Sequence, residues 1–234
     1  MAGDGIQLGL SEAERHTDTS QRDREFELLD LRWDLLPGVF APHNSRSTAA
    51  YTSWLPIPAQ GRVLEMGCGA GVTAVYAALR GAGSVVAADI AAAAVENTRV
   101  NAARHGVADR VRAVRSDMFA EIGEDERFDL IFWNSSAIPA PEDFVYTRDI
   151  EWSLFDRDYA SHRAYLREAP RRLTEGGRLF LGFNTNGDVE RLHRLCAEAG
   201  LRAVEARSMT TTYNDGATTT RFMLLELLPA GRGG

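Results

Sequence analysis

Four polar features in this sequence each follow an apolar run, and their types suit a ligand that is part amine and part nucleoside. The first is Glu65-Met66-Gly67-Cys68-Gly69-Ala70-Gly71. Gly67 and Gly69 let the backbone turn tightly and approach a ligand without Cβ interference, and Gly71 allows close packing of a following helix. A dinucleotide fingerprint needs GxGxxG, yet the third residue after Gly69 is Val72, so the spacing is GxGxG. A pyrophosphate also calls for bare N–H groups at a helix N-terminus, whereas Glu65 could hold a cationic amine, directly or through water. Cys68 inside the turn reads as a pocket wall. The second feature is Asp89, which can accept both hydroxyls of a ribose or cap the helix that begins near Ile90. The third is Asp117, placed to accept from an exocyclic amine while Met118 or Phe119 lies along the ring. The fourth is Asn134, an amide at the tip of the apolar run FDLIFW. It can either align an acceptor atom or tie down its own turn.

The elements that must hold these residues follow from periodicity. Strands are expected at 63–66, 84–89, 111–117, 128–133, 178–183, 201–208 and 221–227. Helices are expected at 72–79, 90–105, 159–173 and 188–199, with Glu96, Asn97, Arg99 and Asn101 of the second facing solvent. Such alternation describes an α/β fold: a doubly wound, Rossmann-like, seven-stranded and mostly parallel sheet. The last two strands have no helix between them, which gives an antiparallel C-terminal edge pair. Upstream, REFELLDLRWDLL (24–36) has helical spacing and Pro37-Gly38 stops it, and a further helix is expected over 47–55. The organisation expected is a flexible segment at 1–20, a helical segment and pocket edge at 21–60, and a ligand-binding domain at 61–230. All four chemical features then fall at the carboxyl ends of strands, where open α/β sheets bind ligands.

Composition narrows the class. The 234 residues suffice for one substantial core, and 44% apolar with 25% charged residues is ordinary for a globular chain. The net charge of −7 argues against a nucleic-acid partner. Two cysteines fit a reducing interior, and the polar N-terminus does not resemble a signal peptide. A cytoplasmic protein with no membrane partner is expected. The scattered histidines and lone cysteines imply no metal. A homodimer through residues 24–36 is compatible with the pattern.

The sequence VLEMGCGAG with Asp89 and Asp117 resembles the class I S-adenosylmethionine-dependent methyltransferases over roughly residues 60–228. The resemblance implies S-adenosylmethionine as cofactor, held by Glu65, Gly67, Cys68, Gly69, Gly71, Asp89, Ile90, Asp117, Met118 and Asn134. PGVFAP (37–42) and Asn134 are similar to the N-methyltransferases with an NPPY-type tetrapeptide, among them the protein-glutamine methyltransferases. In that group the Asn and the first Pro carbonyl hold the acceptor nitrogen. Here the tetrapeptide is Asn134-Ser135-Ser136-Ala137, without its prolines and tyrosine.

The reading of these residues is an N-methyltransferase acting on a small molecule. Asn134 aligns the nucleophile, with Tyr159 and His43 as further catalytic candidates. Phe40, Asn44, Ser135, Tyr146, Trp152 and Tyr213 are the candidate substrate contacts, and residues 142–158 form a candidate lid whose aromatics could face a sulfonium. Three alternatives stand beside it: a cyclase that closes an azetidine ring within the cofactor and releases methylthioadenosine, a protein-glutamine methyltransferase, and a non-catalytic cofactor-binding protein.

Overall fold

The computed structural model describes residues 2–213 and 218–231. Its centre is a seven-stranded sheet in the order β10-β11-β9-β6-β3-β4-β5. These strands are β3 (Arg62–Met66), β4 (Ser84–Asp89), β5 (Val111–Arg115), β6 (Phe128–Asn134), β9 (Leu173–Asn184), β10 (Leu201–Tyr213) and β11 (Thr218–Pro229). β3, β4, β5, β6 and β9 pair in parallel, while β11 runs antiparallel to β9 and β10 antiparallel to β11. The chain moves outward from β3 through β4 to β5, then returns to place β6 on the other side of β3. That reversal opens a crevice at the carboxyl ends of β3 and β6.

Side chains of a strand alternate between faces, and β6 divides the core accordingly. Leu130 and Phe132 join one buried cluster, with Val63 and Phe180; Ile131 and Trp133 join the other, with Leu64 and Leu181. The first face is covered by α3 (Val72–Leu79) and α4 (Ala92–Arg104), the second by α5 (Ala160–Glu168) and α6 (Val189–Glu198). α2 (Arg46–Trp54) adds Tyr51 to the first cluster, where its hydroxyl donates to the Phe183 carbonyl at 2.7 Å. Two short strands, β7 (Ile138–Ala140) and β8 (Phe155–Arg157), pair in parallel above the crevice.

The N-terminal segments depart from the sequence reading. Residues 24–36 form a hairpin, β1 (Glu25–Leu28) and β2 (Leu31–Asp34), instead of a helix. Leu29 and Asp30 both have positive φ, 55° and 59°, which matches the twist of a two-residue hairpin turn. Phe26, Trp33 and Leu35 are buried in the first cluster, so the apolar face proposed for a dimer contact is already covered by the chain's own core. Of the segment 1–20, expected to be flexible, residues 2–20 belong to a helix, α1 (Ala2–Arg22), that lies over β7. A Cβ at Gly9 would come within 2.4 Å of the Phe155 ring, so glycine there sets how closely α1 approaches.

Asn97 and Asn101 are fully buried, not solvent-facing. The Asn101 amide accepts from Asp34 N–H at 2.7 Å and donates to the carbonyls of Asp34 at 2.9 Å and Ala70 at 2.8 Å. Asn97 accepts from Leu36 N–H and donates to the Asp34 carbonyl. Two amides on one helix face thus clamp the hairpin and the glycine turn. Replacing Asn101 with Ala leaves the Asp34 N–H and the Ala70 carbonyl without these partners, at a cost of roughly 2–4 kcal/mol. Urea unfolding should show a lower midpoint with an unchanged slope.

Candidate active site

A cavity of about 310 Å³ opens at the reversal, lined by Glu65, Asp89, Asp117 and Asn134 together. Each reaches it from the end of its strand or the turn just beyond. Gly67, Gly69 and Gly71 adopt positive φ of 66°, 52° and 79°. A Cβ at Gly69 would meet nothing within 4 Å, which leaves its backbone open to a ligand, whereas one at Gly71 would strike Thr98 Cα at 2.8 Å. The two glycines therefore serve different needs: approach at Gly69, packing against α4 at Gly71.

The acids are held by backbone donors. Glu65 is buried and accepts from Ala74 N–H at 2.8 Å. Asp89 accepts from Gly69 N–H and Ala91 N–H, each at 2.9 Å, so it steadies the glycine turn and the approach to α4, whose N-cap is Ala91 and not Asp89. Burial raises the Glu65 carboxyl to about 8 and raises that of Asp89. Among the described residues neither forms a salt bridge with a basic side chain. Two shielded carboxyls without a cationic partner fit a ligand that brings its own positive charge and ribose hydroxyls. Burial, then the charges of Asp89 and Glu65, hold the Cys68 thiol well above its usual range, which suits a wall and not a nucleophile. Ile90 and Met118 also line the cavity.

Asn134 lines it too, and among the described residues its amide makes no hydrogen bond. It does not tie down its own turn. The next residue explains how the strand tip is fixed without proline. Ser135 N–H donates to the Gly182 carbonyl at 3.1 Å, a bond that a proline at this position could not make. Ser135 Oγ also lies 2.8 Å from that carbonyl.

The remaining candidates divide. Phe40, Asn44, Ser135 and Trp152 line the cavity. Tyr146 stands behind Trp152, stacked at 3.6 Å between ring centroids. His43 is absent from the lining; its Nε2 faces Asp23 at 3.3 Å and its ring stacks on Phe26. Tyr159 is buried beneath the site, donating to the Ala137 carbonyl and accepting from Asp188 N–H, both at 2.8 Å. The Tyr213 side chain lies outside the described residues. Of the segment 142–158, residues 149, 150 and 152–154 reach the cavity, and they share its cover with Leu8, Glu12, Arg15 and His16 of α1. His16 accepts from Ala41 N–H, and burial lowers its ring to about 3, so it meets the cavity uncharged. Sequence reasoning missed α1 altogether.

Residues 31–214 match the methyltransferase small domain family. The chain belongs to this family. It is a class I S-adenosylmethionine-dependent methyltransferase by family and fold, with S-adenosylmethionine as the implied cofactor. The release factor glutamine methyltransferase of Bordetella pertussis is 31% identical over 190 residues, covering 77% of this chain and 69% of that relative. The ribosomal RNA small subunit methyltransferase C of Hamiltonella defensa is 30% identical over 163 residues, covering 69% of this chain and 43% of the relative. The chain thus spans under half the length of that relative. Among solved structures, the Thermus thermophilus 16S rRNA N2 G1207 methyltransferase, in complex with AdoMet and guanosine, has a TM-score of 0.57 at 21% identity, covering 86% of this chain and 49% of that one. A ribosomal protein L11 methylase from Lactobacillus delbrueckii has a TM-score of 0.57 at 18% identity, covering 90% and 92%.

Ribosomal RNA methyltransferases among the family relatives overturn the expectation drawn from net charge against a nucleic-acid partner. Net charge averages over the chain and does not limit what a local surface binds. No described helix is long and apolar enough to cross a membrane.

The raised Glu65 carboxyl makes stability depend on pH. Between about 4.5 and about 8 the folded chain keeps a proton that the unfolded chain has released. Stability of the ligand-free protein therefore falls as pH rises through this window. Glu65→Gln should flatten the dependence, leaving the share due to Asp89; denaturant melts at a series of pH values read this directly.

Proposed function

We propose that this chain transfers a methyl group from S-adenosylmethionine to a nitrogen atom of an RNA or protein substrate, with Asn134 aligning the acceptor. The observation that carries the reading is the Asn134 amide. It stands at the β6 tip in the same cavity as Glu65, Asp89 and Asp117, and among the described residues it forms no hydrogen bond. An amide left in this state can accept from an acceptor N–H and donate to a neighbouring carbonyl. Both contacts fix the direction of the nitrogen lone pair.

S-adenosylmethionine supplies an electrophilic methyl group on a sulfonium when bound. Glu65 would hold its ammonium, Asp89 its ribose hydroxyls, and Asp117 the amine of its adenine, with Ile90 and Met118 beside the ring. The glycine turn gives the ligand backbone contacts that side chains would block. The protein's contribution is then chiefly orientation and exclusion of water. Trp152, Ile150 and Leu8 provide the apolar part of the cover.

The macromolecular substrate is supported by the relatives, whose names include a release factor glutamine methyltransferase and ribosomal RNA methyltransferases. The serines and alanine after Asn134 set this chain apart from the NPPY-type group, and the hydrogen bond from Ser135 N–H to the Gly182 carbonyl of β9 ties down the strand tip where a proline pair would otherwise stiffen it.

The test is methyl-labelled S-adenosylmethionine incubated with the purified chain and, separately, with RNA and protein fractions of cell extract. S-adenosylhomocysteine should form in one fraction, with label on nitrogen. Asn134→Ala should lower turnover by roughly 10²-fold, the size expected when an acceptor is misplaced, while cofactor binding persists. Methylthioadenosine released without any fraction would sink the proposal.

A further inference from the structure

One buried polar pair beside the site, His162 and Asp156, has no part in the function proposed so far. His162, in the first turn of α5, is fully buried. Its Nδ1 lies 2.7 Å from Asp156 Oδ2, and its Nε2 lies 3.1 Å from Ser135 Oγ. Asp156 is 1% exposed and also accepts from the backbone N–H groups of Ser161 at 3.0 Å and His162 at 2.9 Å. Ser135 lines the cavity and directly follows Asn134. Trp133, Tyr159 and Phe183 enclose the imidazole at centroid distances of 4.7, 4.7 and 5.6 Å. Asp156 is the charged group that faces it.

The hydrogen-bond arithmetic of this group is specific. The Asp156 carboxylate can only accept, so Nδ1 carries a hydrogen and the neutral ring presents Nε2 as an acceptor. Ser135 has one hydroxyl hydrogen and two acceptors for it, the Gly182 carbonyl at 2.8 Å and His162 Nε2 at 3.1 Å. With His162 neutral, Oγ–H turns to Nε2, and the Gly182 carbonyl keeps the Ser135 N–H. With His162 protonated, Nε2–H donates to Oγ, and Oγ–H turns to Gly182. Every polar atom is satisfied in both states. A buried network that is complete with and without one extra proton can pass that proton without leaving a polar atom unpaired.

We infer that Ser135 is a further catalytic residue, which takes the proton leaving the acceptor nitrogen and passes its own hydroxyl proton to His162, itself positioned by Asp156. The inference rests on the methyl-transfer reading. A nitrogen that gains a methyl group carries a positive charge until it loses a proton. In this step the acceptor N–H bond breaks as an O–H bond forms at Ser135, while the original Oγ–H bond breaks as an Nε2–H bond forms. The positive charge moves from the acceptor to the imidazolium, against Asp156, and the proton returns to solvent when product leaves. Ser135 touches the substrate; His162 and Asp156 act through it.

Two readouts test this, one of them without turnover. In the ligand-free full chain labelled with 15N-histidine, NMR should show His162, assigned with His162→Gln, unprotonated at Nε2 at assay pH, with that resonance shifting in Ser135→Ala. A ring protonated on both nitrogens could not accept a proton and would overturn the inference. In the fraction that supports turnover, Ser135→Ala should lower kcat roughly 10²-fold, the usual worth of general base catalysis. Affinity for S-adenosylmethionine and the acceptor KM should hold, and Ser135→Thr should restore the rate. Wild-type kcat in Ser135→Ala, or a loss that follows weakened cofactor binding or folding, defeats the relay alone. No S-adenosylhomocysteine from the wild type in any fraction defeats the methyl-transfer reading and the relay with it.

Discussion

The site depends on the buried amide of Asn101. Asn101 sits on α4, yet its hydrogen bonds go to the hairpin at Asp34 and to the glycine turn at Ala70. The turn carries three glycines with positive φ, a backbone with high conformational freedom that would lose much entropy on ordering. Asn101 from one side and Asp89 from the other supply polar partners that hold it in one shape. The Gly71 contact with Thr98 brings the helix close enough for the amide to reach. Removing a side chain from the turn is therefore only half of what makes the loop work; a polar side chain from the next helix does the rest.

The parallel sheet was legible because its strands are buried on both faces and read as continuous apolar runs, as 128–133 and 178–183 do. The acids at 65, 89 and 117 and the amide at 134 were legible for the same reason, being polar residues where such runs stop. The hairpin was not. In REFELLDLRWDLL the apolar positions satisfy helical spacing, while Phe26, Leu28, Leu31, Trp33 and Leu35 also satisfy alternation around a turn. The turn itself uses Leu29-Asp30 at positive φ, without the glycine or asparagine that would have announced it. Helix α1 was illegible because Gly3, Gly5 and Gly9 lower its intrinsic propensity, and what holds it is tertiary: packing on β7 and β8 and bonds from His16, Thr19 and Ser20 to residues 38–44.

The polar group of Ser135, His162 and Asp156 was hidden for a different reason. Its members come from a strand tip, the third residue of a helix and the strand just before that helix, so no short motif joins them. Asp156 gave one usable signal, as an acid placed where a helix N-terminus needs acceptors. Asn97 and Asn101 misled in a similar way. Amides at helical spacing look like a solvated face until a partner backbone is known, and the partner here lies more than 60 residues upstream.

The contact face of α1 has a consequence for how the molecule opens. Gly9, Ala13, His16, Thr19 and Ser20 are the buried residues there, and Ile6 and Leu10 add partly buried contacts on Ile138, Ala140 and Phe155. A single helix held by a small apolar patch and a few polar bonds, with weak propensity of its own, is expected to open at lower free energy than the sheet below it. Opening of the cavity on the α1 side would then be a sub-global event, with α1 leaving while every strand of the sheet stays paired. Ligand exchange and proteolysis within α1 (Ala2–Arg22) would then draw on one opening equilibrium.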